Sequence, residues 1–215
     1  FVDNCYGEFV EASEPCAHGA DLCAGSLIKN PGGGICPSGG YIVGRSDCVE
    51  AAAAHLCAPG VVGHVGPSLG FNRTLAQGLF FAPHIVAESL KGAVFSAALF
   101  EDYGFKSVPA AFDKRGDIVQ TVQLDHPDQV IDLCRVVQSC SPVDAHVTPY
   151  PWDMPGYDAQ VIMAAGAFVQ GASIELSADG PMEPPYIVYM QGGLVYEQVK
   201  LAAMTAADKR EVHLK

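Results

Sequence analysis

Apolar and polar positions alternate in short bursts near both ends of the chain and settle into helical spacing between them. Residues 1–2 read as the end of a buried strand, with Asp3 closing it. A turn at Gly19 leads into a second short strand over 21–24, and "GGYIVG" (39–44) is a third, bounded by glycines. "SDCVEAAAAHLCAPG" (46–60) predicts a helix, with Ser46 or Asp47 as N-cap and Pro59-Gly60 as its stop. The Gly-rich stretch that follows has no periodicity, and a loop that long is often functional. Over 60–78 it is placed as an arm able to serve a neighbouring subunit. A long helix is expected over 82–103, with Pro83 in its first turn and Gly104 at its end. Its apolar positions are Ile85, Leu90, Val94, Ala97 and Ala98.

Composition shifts at Gly104. "IVQTVQL" (118–124) predicts a strand, and 126–140 a helix with Val130, Cys134 and Val137 on one face. Short strands and turns occupy 144–193, and a helix over 194–210 closes the pattern. The organisation expected is a strand–turn unit over 1–80, a bridging helix over 81–104, and a smaller α+β unit over 105–215.

Charge and composition narrow the classes. The chain has 215 residues, 49% hydrophobic and 17% charged, which suits a packed core and not a disordered chain. A formal net charge of −12 and the absence of any basic run argue against nucleic-acid partners. The longest apolar runs are interrupted by Gly or Ser and fall well short of the ~20 residues of a membrane span. No basic start precedes an apolar stretch, as a signal peptide would require. The opening "FVDNCYGEF" reads as the middle of a strand, so a piece of a longer protein is expected. The eight cysteines form no CxxC pair, and several sit in apolar segments; reduced thiols and a cytoplasmic location follow as the expectation.

The chemistry centres on "AGSLIKNPGGG" (24–34). Pro31 and the glycines forbid a continuing helix and leave Lys29 on a turn with little steric cover. A solvent-facing loop lysine is the plain reading. A phosphate loop fails, because its glycines precede the lysine and a Ser or Thr follows it. The third reading is an amine desolvated to lower its pKa, so that it attacks a carbonyl. Asp3, 26 positions earlier, strengthens it. If the strands ending near Asp3 and Ala24 are neighbours, acid and amine face one crevice at a sheet edge. Pyridoxal phosphate needs this pair: the lysine condenses with its aldehyde, and a buried Asp pairs with its pyridine nitrogen. Ser26 lies where its hydroxyl reaches the cofactor phosphate.

The words themselves carry a resemblance. "VDNCY" (2–6) resembles the turn of the cystathionine and methionine lyases. "GADLCAGSLIKNPGGG", "GGYIVGR", "SPVDAHV", "PWDMPGYDAQVIMAAG", "FVQGASIELSADGP" and "YMQGGLVYEQVK" look like the C-terminal half of the methionine γ-lyase-like proteins called aluminium-resistance proteins. The resemblance implies a fold-type I, α/β pyridoxal 5'-phosphate enzyme: part of the large-domain sheet plus a smaller C-terminal α+β domain. It implies Lys29 as the catalytic, cofactor-bound lysine, Asp3 on the pyridine nitrogen, Ser26 on the phosphate, and Asn4 supporting the turn beneath the ring. It implies a homodimer or homotetramer in the full-length protein, and a missing N-terminal half with the phosphate cup and a ring-stacking aromatic. Alone, the piece is expected to bind cofactor weakly and to be inactive. The activity implied is carbon–sulfur elimination from a small sulfur amino acid. The alternatives are another fold-type I reaction such as transamination, or a non-enzymatic metal-tolerance protein whose acidic surface binds hard cations such as aluminium.

One departure stands out. Where the family carries an Arg near "SADGPxR", this chain has Met182 and Glu183. An acid cannot grip a substrate carboxylate, so Arg45 and Arg73 become candidates by proximity. Tyr6 and Tyr41 flank the proposed site as possible proton relays. "YPWDMPGYD" (150–158) packs a turn or lines the site. Glu175 and Asp179 are read as a hairpin turn and its flank, and His55 and His64 as helix-end or loop histidines, with no metal site expected.

Overall fold

The computed structural model describes residues 1–62 and 68–213. Two sheets carry the described residues. In the first, β1 (Val2–Asp3) runs parallel to β2 (Leu22–Ser26), with Asp3 opposite Ala24. β2 pairs antiparallel with β3 (Gly40–Gly44), Ser26 facing Gly40. These are the three short strands the sequence predicts, and β1 and β2 are the neighbours it proposes.

α1 (Ser46–Leu56) forms where expected, but Arg45 holds the N-cap position and no side chain caps the helix. The Arg45 side chain instead bonds Asp21 and Asp47, drawing Asp47 into an ion pair.

The long helix is longer than its pattern suggests. α2 spans Asn72–Asp102, 31 residues, so Pro83 lies inside it and the last part of the expected 60–78 loop is helical. His64 and the rest of 63–67 lie outside the described residues. An interior proline strands the carbonyl four residues back. Here that residue is Leu79, itself 54% exposed, so water can meet the freed carbonyl. The buried stripe is Ala82, Val86, Ser89, Ala93, Ala97 and Phe100; of the predicted positions Ala97 is fully buried, Ile85 and Leu90 pack partly buried against the core, and Val94 is exposed. Small residues fix that choice. α4 (Tyr196–His213) packs so closely on α2 that a Cβ at Gly92 would lie 2.8 Å from Val199.

The second sheet is antiparallel, in the order β4 (Lys106–Val108), β5 (Val119–Gln123), β8 (Ile187–Gln191), β7 (Ser177–Pro181), β6 (Val161–Ala164). β4 has no counterpart in the sequence reading: three residues bounded by a glycine and a proline give too little alternation. One face of this sheet is covered by α3 (Pro127–Ser139) and the end of α2, and α4 packs on both of these helices. Its core holds Val122, Ile162, Ala178, Val188 and Met190 against Val130, Cys134 and Val137, the face of α3 that the spacing predicts. The mixed α/β architecture is thus the one expected. All eight cysteines are free, and no described helix is long and apolar enough to cross a membrane.

The two acids sit as read, in a turn and its flank: Glu175 lies in the connection between the antiparallel strands β6 and β7, and Asp179 lies in β7. Glu175 is buried, and its carboxylate accepts the backbone N–H groups of Phe168 (2.8 Å) and Val169 (3.0 Å). That anchors the loop carrying Ser173. Asp179 is central in β7, on the sheet face away from the helices, where burial pushes its carboxyl up to about 6 from 3.8. A raised acid pKa means the folded state binds the proton more tightly, so stability falls as pH rises from about 4 through 6 and stays reduced above. Asp179→Asn is expected to stabilise the chain by about 1–2 kcal/mol at pH 7.5, after discounting for partial solvent screening, and to change nothing at pH 3.5. Urea unfolding at the two pH values checks this.

Candidate functional site

Parallel pairing puts the C-terminal ends of β1 and β2 on one edge of the sheet. Asp3 closes β1, Ser26 closes β2, and Lys29 follows in a turn closed by its own N–H on the Ser26 carbonyl (3.3 Å). A single 3-10 turn, Asn30–Gly32, comes next. Asn30 is fully buried, and its Nδ2 donates to the carbonyls of Tyr6 and Glu8, both at 3.0 Å. One carboxamide therefore ties the lysine turn to the turn that follows β1. The glycines after Lys29 serve close packing. A Cβ on Gly33 would lie 2.5 Å from the Gly78 carbonyl, and one on Gly78 would lie 2.3 Å from the Gly32 carbonyl. Glycine on both sides lets the loop lie directly on α2.

Lys29 is half-buried, with Nζ 4.4 Å from the centre of the Tyr6 ring. Tyr6 adopts a positive φ of 74°, and its hydroxyl bonds Ser173 Oγ at 3.1 Å. A chain of contacts thus runs from Glu175 through the Ser173 loop and Tyr6 to the lysine. Desolvation alone would lower the Lys29 pKa, as expected from sequence. It is outweighed by hydrogen bonding to Tyr6 and by the surrounding groups, the Asp3 carboxylate among them, so the net shift is upward. The expectation of a depressed amine is corrected: this ammonium is stabilised by its neighbours.

Asp3 differs too. The carboxylate is exposed, not buried, because β1 is a two-residue edge strand. The Cys5 backbone N–H on Oδ1 (3.1 Å), then the Cys5 thiol, hold its pKa below the usual carboxylate value, with the Lys29 charge assisting. Asn4 is buried; its Nδ2 donates to Glu14 Oε2 (2.7 Å) and its backbone N–H to the Ala24 carbonyl (2.8 Å). These bonds pin the turn after β1. The Ser26 hydroxyl accepts a long contact from the Ile28 N–H at 3.4 Å, leaving its proton to donate elsewhere.

A cleft of about 790 Å³ opens between Tyr6 and the uncovered face of the second sheet, lined by Thr121, Tyr157, Met163, Ser173, Asp179 and Glu183 among others. The 150–158 segment therefore lines this cleft through Tyr157. Tyr41 is not beside Lys29; its hydroxyl donates to Glu8 (2.8 Å). Among the described residues no group of three or more His, Cys, Asp or Glu could hold a metal ion. His55 bonds the Ala51 carbonyl near the end of α1.

The arginines rearrange the sequence reading. Arg45 is exposed and committed to Asp21 and Asp47, and Arg73 is exposed at the start of α2. Arg115 is different. Its Nη2 donates to Gln120 Oε1 (2.6 Å), while Nε and Nη1 are buried without a protein partner. Burial lowers its pKa. The neighbouring Gly116 carbonyl lies 3.5 Å from where a Gly7 Cβ would stand, so this loop abuts the turn that carries Tyr6. In the sequence, "DKRGD" (113–117) looks like a solvated charge run, and no spacing signals otherwise.

Comparison with known proteins fits this construction. The uncharacterized protein YnbB of Bacillus subtilis is 55% identical over 208 residues, 97% of this chain and 49% of its own length. A 33.9 kDa protein from the glnA 5' region of Lactobacillus delbrueckii subsp. bulgaricus, also uncharacterized, is 49% identical over 97% of this chain and 68% of its own. The crystal structure of a carbon-sulfur lyase involved in aluminum resistance from Clostridium novyi NT superposes with a TM-score of 0.92 at 50% identity, over 98% of this chain and 49% of that one. The chain thus spans about half the length of the Bacillus relative and of the solved structure. A family model described as methionine gamma-lyase matches residues 1–211, and the chain belongs to that family.

Proposed function

We propose that this chain forms the lysine-bearing half of a pyridoxal phosphate-dependent carbon–sulfur lyase acting on a sulfur amino acid, of methionine gamma-lyase or cystathionine beta-lyase type. The observation that carries the reading is the meeting of Lys29 and Asp3, each within electrostatic reach of the other, at the C-terminal ends of two parallel strands. The family and the carbon-sulfur lyase from Clostridium novyi support the reaction class.

The donor set suits the cofactor. Asp3 offers a carboxylate with one backbone hydrogen bond and an open flank, Ser26 a free hydroxyl proton, and Lys29 a primary amine. When bound, pyridoxal phosphate supplies an aldehyde that takes up amines and a ring that withdraws electrons from the substrate α-carbon. Asp3, held anionic by Cys5, would keep the ring nitrogen protonated. Asn4 holds the strand end that positions Asp3. Ser26 would donate to the phosphate. Lys29 would move the α-proton, and Tyr6 and Ser173 fix the position of Nζ over which it does so. Arg115 would grip the substrate carboxylate with Nε and Nη1, the task Glu183 cannot perform. The cleft beside Tyr6 would take the thioether end. The complete enzyme is proposed to be a cytoplasmic homodimer or homotetramer.

Two results test this on the family-length protein. Release of keto acid and ammonia in equal amounts from cysteine, cystathionine or methionine is expected, falling at least 10³-fold in Lys29→Ala. Keto acid without ammonia would indicate transamination and contradict the lyase assignment. Arg115→Gln is expected to raise KM about 10–100-fold with a smaller change in kcat. An unchanged KM would remove Arg115 from substrate binding.

A further inference from the structure

The loop that leads into β5 is built around Arg115. Three acids lie near its guanidinium, and each is spent on the backbone. Asp113 Oδ2 accepts the Ala110 N–H (2.9 Å), Asp117 Oδ1 the Val119 N–H (2.8 Å), and Glu101 Oε1 the Ala111 N–H (3.2 Å). Among the described residues none of the three forms an ion pair with Arg115.

The group that does hold the guanidinium is neutral. Gln120 stands on the same face of β5 as the core residue Val122 and is only 1% exposed. A carboxamide buried so deeply needs partners for its donors and its acceptor. Gln120 Nε2 donates to the Pro109 and Thr121 carbonyls, both at 3.0 Å, which occupies both of its hydrogens. Those carbonyls also settle which way the amide faces. Turned over, its oxygen would meet two acceptors and its N–H groups would meet the guanidinium. Oε1 is therefore the atom presented to Arg115, and it accepts from Nη2 at 2.6 Å. A carboxylate in its place would neutralise the guanidinium, whereas a carboxamide orients it and leaves its charge available to an anion. Nε and Nη1 remain buried without a protein partner, a costly arrangement unless an anion completes it. Gly116 and Asp117, next along the loop, line the cleft beside Tyr6.

We infer that Gln120 is a positioning residue for substrate binding: its carboxamide, oriented by the Pro109 and Thr121 carbonyls, holds Arg115 by Nη2 and keeps the rest of the guanidinium free for the substrate carboxylate. The inference rests on the assignment of that carboxylate to Arg115.

A double-mutant cycle in the family-length enzyme tests it, read as KM and kcat with whichever of cysteine, cystathionine and methionine is cleaved fastest. Gln120→Met removes the acceptor and both donors at similar volume. It is expected to raise KM roughly tenfold while kcat changes less than about threefold. In an Arg115→Gln background the same change is expected to add less than about twofold, because a residue acting through Arg115 has nothing left to position. Effects that simply multiply would overturn the inference and leave the Arg115 assignment standing. So would an unchanged KM in Gln120→Met when Arg115→Gln raises it. An unchanged KM in Arg115→Gln overturns the assignment and the inference together. Competitive inhibition separates positioning from a general loss of packing. In Gln120→Met the inhibition constant of alanine is expected to rise roughly tenfold, and that of ethylamine, which lacks the carboxylate, to stay within about twofold. Equal rises for the two would make Gln120 a packing residue and contradict the inference. Gln120→Asn, which keeps the carboxamide but draws it back by one methylene, carries the same expectations if Gln120→Met does not fold; urea unfolding identifies which variant is folded.

Discussion

One buried carboxamide holds the candidate site together. Asn30 donates to two carbonyls of the turn after β1, tying the lysine turn to the turn that carries Tyr6. The parallel register of β1 and β2 brings Asp3 and Lys29 to one edge; Asn30 then fixes how the two turns face each other. The glycines around it allow the loop to press on α2, and α2 in turn packs on α4 through Gly92. A side chain at Gly33 or Gly78 would push the lysine loop off the helix that supports it.

The electrostatics refine what a reactive lysine requires here. Burial acts on Lys29 in the expected direction, but Tyr6 and the nearby acid and thiol outweigh it. The amine is held in place as an ammonium, and its anionic neighbour Asp3 is held low by Cys5. The Ser173 loop, fixed by Glu175, joins this arrangement to the second sheet through the Tyr6 hydroxyl.

Much of this was legible from residues alone. The three short strands, the α3 face and the Asp3–Lys29 pairing follow from apolar runs bounded by glycines, because such runs leave few alternatives. The start of α2 did not, since Pro83 reads as a helix opening and only solvent exposure makes it tolerable inside. Asp3 was expected buried, yet burial depends on what packs over an edge strand, which a local pattern does not encode. Arg115 was invisible for a related reason. A charged residue in a polar run looks solvated until the fold shows its atoms enclosed. Glu175 and Asp179 were legible as turn and flank, but their burial was not.

The central claim is that the amine of Lys29 is the group that takes up the cofactor. Borohydride reduction of the family-length protein after incubation with pyridoxal phosphate, followed by peptide mapping, tests it most directly. A phosphopyridoxyl adduct confined to the peptide containing Lys29 is the expected result. No adduct there, or an adduct spread over exposed lysines such as Lys91 and Lys114, would contradict it.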